Sequence, residues 1–290
     1  MQMTVHQPPS KYRTLLILGR TSNLPTVWSN CFAGWLLGGG GSVRFLWLCL
    51  GATLLYTGGM FLNDAFDADF DRQHRRQRPI PSSAISEREV WFYGFLQLGF
   101  GALILVQMGI TTSILTILLV ACILLYDAVH KMVAISPLLM AACRLLLYLV
   151  AASVSVNGVT GLAVWSALAL AAYIVGLSYL ARKETSRGPL SNWPCYFLAT
   201  PLLLASIVNY GGPRRMPLVI LVVVAAWILW CLRHTFWKPQ RNIGFTVSLL
   251  LAGIPLLDWL AVGGGTFLAS AIFALQFFAA LLFQRFIPAT

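Results

Sequence analysis

The stretch Tyr56-Thr-Gly-Gly-Met-Phe-Leu-Asn-Asp-Ala-Phe-Asp-Ala-Asp-Phe-Asp71 begins apolar and ends acidic. A run of about 20 apolar residues, rising roughly 1.5 Å each, matches the hydrocarbon thickness of a bilayer. The run that closes on this stretch spans residues 45–66, so its acids sit where a membrane helix meets water. At about 100° per residue, Asn63, Asp64, Asp67 and Asp71 fall within an arc of about 100°, and Asp69 points away. One helix face is therefore lined with hard oxygen ligands. Carboxylates held so close repel one another unless cations compensate, which makes these four residues a candidate metal site. Mg2+ is the fitting ion, because it takes only one or two carboxylates and completes its shell with water and substrate phosphate. The competing reading is a solvated loop whose acids pair with Arg72, Arg75, Arg76 and Arg78. Those guanidinium groups also suit phosphate oxygens, which makes Arg72 and Arg78 candidate substrate contacts. Arg78-Pro79-Ile80-Pro81 reads as a rigid turn.

Working outward, the whole chain repeats the apolar theme. Of 290 residues, 58% are hydrophobic and 10% charged, and the mean hydropathy is +0.77. That is more apolar surface than a water-soluble core can bury. Apolar segments lie near 21–39, 45–66, 90–108, 111–128, 136–155, 161–181, 193–210, 216–233, 243–261 and 265–284. The expected fold is all-α: a polytopic bundle of nine or ten membrane helices, to which the family resemblance described below adds a central cavity. It is expected to be one domain, 1–290, with a polar cytoplasmic N-terminus over residues 1–18 and no cleaved signal.

The net charge of +11 is read as topology and not as a nucleic-acid partner. With the N-terminus in the cytoplasm, only Arg44, Arg214 and Arg215 of the 20 basic residues fall on the opposite side, and Arg144 lies within a span. This positive-inside asymmetry predicts an integral, multi-pass protein of a bacterial-type inner membrane with a cytoplasmic active face. The six cysteines lie in apolar segments without a CxxC pair, and the four histidines lack metal-ligand spacing. Both sets read as packing or surface residues.

Other polar residues need partners in lipid. Arg144, inside the apolar run Pro137 to Val150, is expected either to face the cavity and bind an anionic part of the substrate with Tyr148, or to pair with an acid at the bundle centre. Asn23 lies near the cytoplasmic end of the first span and is a candidate substrate contact, whereas Asn30 reads as a helix-joining amide. Asp127 either pairs with a neighbouring cation or accepts a proton. Asp258 falls toward the opposite side and is expected to take no part in chemistry.

The motif NDxxDxxxD, here Asn63, Asp64, Asp67 and Asp71, followed by the Arg-Pro turn, resembles the UbiA superfamily of intramembrane prenyltransferases. The likeness extends to Arg20 and Asn23 in the first span and to the element from Tyr126 to Lys131. The stretches Leu18 to Asn30 and Tyr-Asp-Ala-Val-His-Lys look closest to the EboC-type branch. The resemblance implies a helical cavity capped by two facing aspartate motifs, with Lys131 on phosphate and Tyr126 below it; the bland alternative is a snorkelling lysine.

In that family a second acidic motif follows span six. Here the loop reads Ser178-Tyr-Leu-Ala-Arg-Lys-Glu-Thr-Ser-Arg-Gly188, with Glu184 its only acid. Tyr179, Arg182, Lys183 and Glu184 are its candidate substrate contacts, the cations serving as a charge clamp on a leaving diphosphate. The resemblance implies Mg2+-dependent transfer of a prenyl group from an isoprenyl diphosphate to a lipophilic acceptor, with Asp64, Asp67 and Asp71 catalytic. The departure in the second motif supports an alternative, a non-catalytic membrane protein that binds or moves a lipid-linked metabolite.

Overall fold

The computed structural model describes residues 10–183, 192–208, 215–237, 241–263 and 265–288. Among these residues all regular structure is helical. A short helix α1 (Lys11–Leu18) leads through a 3-10 turn (Thr21–Asn23) into α2 (Leu24–Leu37). Then follow α3 (Phe45–Phe66), α4 (Ala68–His74), α5 (Glu87–Val106), α6 (Ile110–Val129), α7 (Ser136–Ser153) and α8 (Gly161–Arg182). The last part comprises α9 (Trp193–Leu198), α10 (Thr200–Val208), α11 (Arg215–Phe236), α12 (Ile243–Ala252), α13 (Ile254–Val262) and α14 (Phe267–Phe283). Every apolar segment read from the sequence lies on one of these helices or on a consecutive pair.

Among the described residues, seven helical stretches are long and apolar enough to cross a membrane: α3, α5, α6, α7, α8, most of α11, and α12 with α13 taken together. The apolar stretches Trp193–Val208 and Phe267–Phe283 are shorter, and α2 has 14 residues. Proline explains part of the shortening. Pro201 follows the junction of α9 and α10, and Pro255 follows that of α12 and α13, where a ring without an N–H interrupts the helical ladder. The carbonyls of Leu249 and Leu250, just before the second break, accept hydrogen bonds from Trp227 Nε1 at 3.2 Å and Tyr173 Oη at 2.9 Å. Those bonds keep peptide groups satisfied where lipid offers no donor.

Helices α3 and α5 approach through glycine. A Cβ at Gly58 would sit 2.8 Å from the Leu98 nitrogen and 2.9 Å from the Gly94 oxygen, and one at Gly101 would meet the Gly51 oxygen at 2.9 Å. Only a hydrogen side chain permits backbones this close, the usual means of joining helices in lipid. A small apolar cluster of Leu18, Phe61, Ala65, Ala68, Ile80, Ile85 and Val90 binds α1, the end of α3, the proline turn and α5 into one platform. Helix α5 starts in a capping box between Ser86 and Glu89, and Lys11 of α1 reaches Glu89 at 3.1 Å. The acidic face read from the sequence lies on this platform.

Candidate functional site

Helix α3 ends at Phe66, yet the backbone keeps helical hydrogen bonds through the junction, Asp67 N to Asn63 O and Asp71 N to Asp67 O. The turn from α3 into α4 therefore preserves the register that puts Asn63, Asp64, Asp67 and Asp71 on one side. All four are buried, while the Asp69 side chain is 92% exposed.

Asp64 and Asp67 meet cations from different elements. Asp64 Oδ1 accepts from Arg20 Nη2 at 3.4 Å and from Arg78 Nη1 at 3.2 Å. Arg20 takes up a left-handed backbone at φ 42°, a costly conformation for a side chain with a Cβ. Its guanidinium also donates to Asn63 Oδ1 at 3.2 Å. Asn63 Nδ2 in turn donates to Asp127 Oδ1 on α6 at 3.0 Å. Just beyond the end of α6, Lys131 Nζ lies 2.7 Å and His130 Nε2 3.3 Å from Asp67 Oδ1. Lys131 also sits over the Phe70 ring at 3.8 Å, and the rings of Tyr126 and His130 stack.

These surroundings act differently on two of the acids. Burial works to raise the Asp67 carboxyl, but the bonds to His130 and Lys131 outweigh it and leave Asp67 below its ordinary value. At Asp71 burial wins over Arg78 and Lys131, so its carboxyl is raised. Asp71 Oδ1 and Asp127 Oδ2 are both buried without a hydrogen-bond partner among the described residues. Unpartnered carboxylate oxygens inside a protein are costly, and a cation relieves that cost. Among the described residues no three His, Cys, Asp or Glu side chains converge to cage a metal alone. The arrangement fits an ion that takes one or two carboxylates and finds its other ligands on water and phosphate.

Several sequence expectations fall elsewhere. Arg72 turns to the outer side, 2.6 Å from Asp69 and 2.5 Å from Glu87, so it faces away from the buried acids. The physical reason is its register: Arg72 lies three residues from exposed Asp69, on the same flank of α4. Tyr179 Oη and Arg182 Nη1 both donate to the Ala134 carbonyl, at 3.2 and 2.5 Å, and Arg182 Nη2 reaches Val133 O at 3.1 Å. They tie the end of α8 to the turn after Lys131, where carbonyls left open beyond α6 need donors. Lys183 caps α8, and Glu184 lies outside the described residues. Asn23 is buried at the start of α2. Arg144 donates to Asn30 Oδ1 at 2.8 Å and Thr26 Oγ1 at 3.0 Å, with the Tyr56 ring 5.8 Å away. Tyr148, one turn on, faces a separate cleft with Asp258.

Sequence reasoning left Arg20, His130 and Asp127 out of the site. Arg20 carried a signal within the first-span motif, and His130 and Asp127 flank Lys131. Their joint aim at one face depends on how α1, α3 and α6 pack.

The family model described as UbiA prenyltransferase family matches residues 23–245. The chain belongs to this family. A 4-hydroxybenzoate octaprenyltransferase from Paracidovorax citrulli is 37% identical over 131 residues, covering 40% of this chain and 42% of that protein. A digeranylgeranylglyceryl phosphate synthase from Pyrococcus horikoshii is 39% identical over 51 residues, 18% of each chain. The matched stretches thus span less than half of these curated relatives. In fold, the chain is similar to a UbiA homologue from Archaeoglobus fulgidus bound to GPP and Mg2+, with a TM-score of 0.66 at 15% identity over 90% of this chain and 99% of that one. The UbiA fold accounts for the bundle, and the clustered acids and cations occupy one end of it.

Proposed function

We propose that the protein transfers an isoprenyl group from its diphosphate to a lipophilic acceptor, aromatic or other, within the membrane, and that the transfer depends on Mg2+. The observation that carries this reading is the mixed-charge cap: four buried polar groups on one face, Asn63, Asp64, Asp67 and Asp71, set among Arg20, Arg78, His130 and Lys131. Asp67 and Asp71 would hold the ion, with Asn63 and Asp64 beside them. Bound there, Mg2+ neutralises diphosphate charge and makes it a better leaving group.

The remaining work falls to the chain's own groups. Arg20 and Arg78 supply planar donors for phosphate oxygens, and Lys131, once released from Asp67, supplies a point charge. The apolar interior keeps water from a reactive allylic centre. With two or all three of α2, α9–α10 and α14 added to the seven long stretches, the bundle would make nine or ten crossings. The charge asymmetry supports a cytoplasmic cap and N-terminus in a bacterial-type inner membrane.

The test is binding of an isoprenyl diphosphate to the purified protein with and without Mg2+. Binding should require the ion and be lost in Asp67→Ala; metal-independent binding that survives this change sinks the proposal. A second reading, a non-catalytic carrier of a lipid-linked metabolite, is favoured by the loop Ser178 to Gly188, where Glu184 is the only acid. Persistent binding without diphosphate release, across several allylic donors and a broad acceptor panel, would select the carrier.

A further inference from the structure

At the end of the bundle remote from the aspartates, α7, α8, α10 and α13 enclose a cleft of about 70 Å³. Its polar lining is Tyr148, Ser166 and Asp258, and its walls include Leu170, Leu204 and Leu257. Tyr148 lies 12 residues beyond the start of α7, roughly 18 Å along the helix from the cap end. The cleft is therefore distinct from the diphosphate cap.

We propose that this cleft is a second binding site, for the hydroxyl headgroup of an uncharged amphiphile whose chain lies in the surrounding lipid. Three observations carry the proposal. The Tyr148 hydroxyl is fully buried and the Ser166 hydroxyl nearly so, and neither has a hydrogen-bond partner among the described residues. Native interiors seldom leave such groups unpaired, and two beside one cavity mark a place where a ligand supplies the missing bonds. Asp258 also borders the cleft, and both of its hydrogen bonds, from Ser29 Oγ at 2.6 Å and Asn30 Nδ2 at 2.8 Å, fall on Oδ2.

The charge balance selects a neutral ligand. Asn30 accepts from Arg144 through Oδ1 and donates to Asp258 through Nδ2, so the half-buried cation and the buried acid are joined across one amide. The set is already compensated, and a further charge at this depth would be costly to desolvate. An alcohol matches the remaining groups better than a ketone or ester: it donates to a carboxylate oxygen and accepts from a tyrosine or serine hydroxyl, whereas a carbonyl only accepts. The volume holds a headgroup and its first carbons. The apolar rim residues Leu162 and Val208, 37% and 51% exposed, leave a path for the chain into lipid.

The test uses the full chain in phosphatidylcholine nanodiscs with three photolabels of equal length bearing the same diazirine: a long-chain alcohol, the fatty acid and the hydrocarbon. The alcohol should label α8, α10 and α13 around the cleft about fivefold more than either other probe, the worth of one ordinary hydrogen bond. Unlabelled dodecanol should compete in the unaltered protein, and Ser166→Ala and Tyr148→Phe should each lower labelling. Equal labelling by all three probes, stronger labelling by the acid, or no effect of dodecanol would overturn the proposal. The dodecanol arm does not depend on a variant folding, and no arm requires prenyl transfer.

Discussion

Asn63 on α3 donates its side-chain amide to Oδ1 of Asp127 on α6, 3.0 Å away across a sequence separation of 64. Arginine has donors only, so the bond from Arg20 to Asn63 fixes the amide with its oxygen toward Arg20 and its nitrogen toward Asp127. Asp127→Ala leaves that buried nitrogen without an acceptor, at an expected cost of about 1–3 kcal/mol. Asp127→Asn retains a carbonyl oxygen and should lose less. Thermal unfolding in detergent reads the difference; equal midpoints for Asp127→Ala and the parent protein would contradict it.

Lys131 and a bound cation compete for Asp67, because Nζ already lies 2.7 Å from its Oδ1. Lys131→Met should therefore tighten binding of Mn2+, used as a paramagnetic substitute for Mg2+, by roughly threefold to tenfold in the absence of diphosphate. The same change should weaken binding of an isoprenyl diphosphate. Electron paramagnetic resonance measures the first and a titration the second. A loss of both would mean that Lys131 only supports the fold.

Arg20 and Arg78 converge on the same oxygen of Asp64. Removing one leaves the other in place, so each single alanine should keep the fold yet weaken diphosphate binding about tenfold or more through lost charge-assisted bonds. The double change should lose more than either. Arg72→Ala, by contrast, breaks only exposed ion pairs and should leave binding within twofold, a small effect of the size expected for surface pairs.

The set of half-buried Arg144 with buried Asn30 and Asp258 predicts coupled stability. Arg144→Met strands the buried acid and should destabilise by about 3 kcal/mol, whereas Asp258→Asn strands a half-buried cation and should cost less. The double variant leaves no stranded charge and should be more stable than the sum of the singles implies. A double-mutant cycle by chemical or thermal unfolding checks this, with simple additivity as the contrary result.

Gly58 is the contact at which α3 can be separated from α5. A Cβ there meets backbone atoms at 2.8 and 2.9 Å, which flexible side chains cannot relieve. Gly58→Ala should cost about 1–3 kcal/mol and shift the acids at the end of α3, while Gly99→Ala, with open space around it, should be neutral. Unfolding midpoints of the two variants distinguish a packing effect from a general intolerance of alanine.

Much of this protein was legible in the sequence because its signals are local. Apolar run length follows from bilayer thickness, and the common side of Asn63, Asp64, Asp67 and Asp71 follows from the 3.6-residue period, which survives the junction of α3 and α4. The exposure of Asp69 has the same origin. Tertiary packing decided the partners. Arg20, from the link after α1, and Asp127 and His130, from the end of α6, reach the acidic face, and Tyr179 and Arg182 close the turn after α6. Asp258, expected to take no part in the chemistry, joins Arg144 through Asn30. Each outcome depends on the relative rotation and height of helices far apart in the chain, set by glycine contacts and proline breaks. Periodicity assigns a residue to a face of its own helix, whereas packing determines which other face it meets.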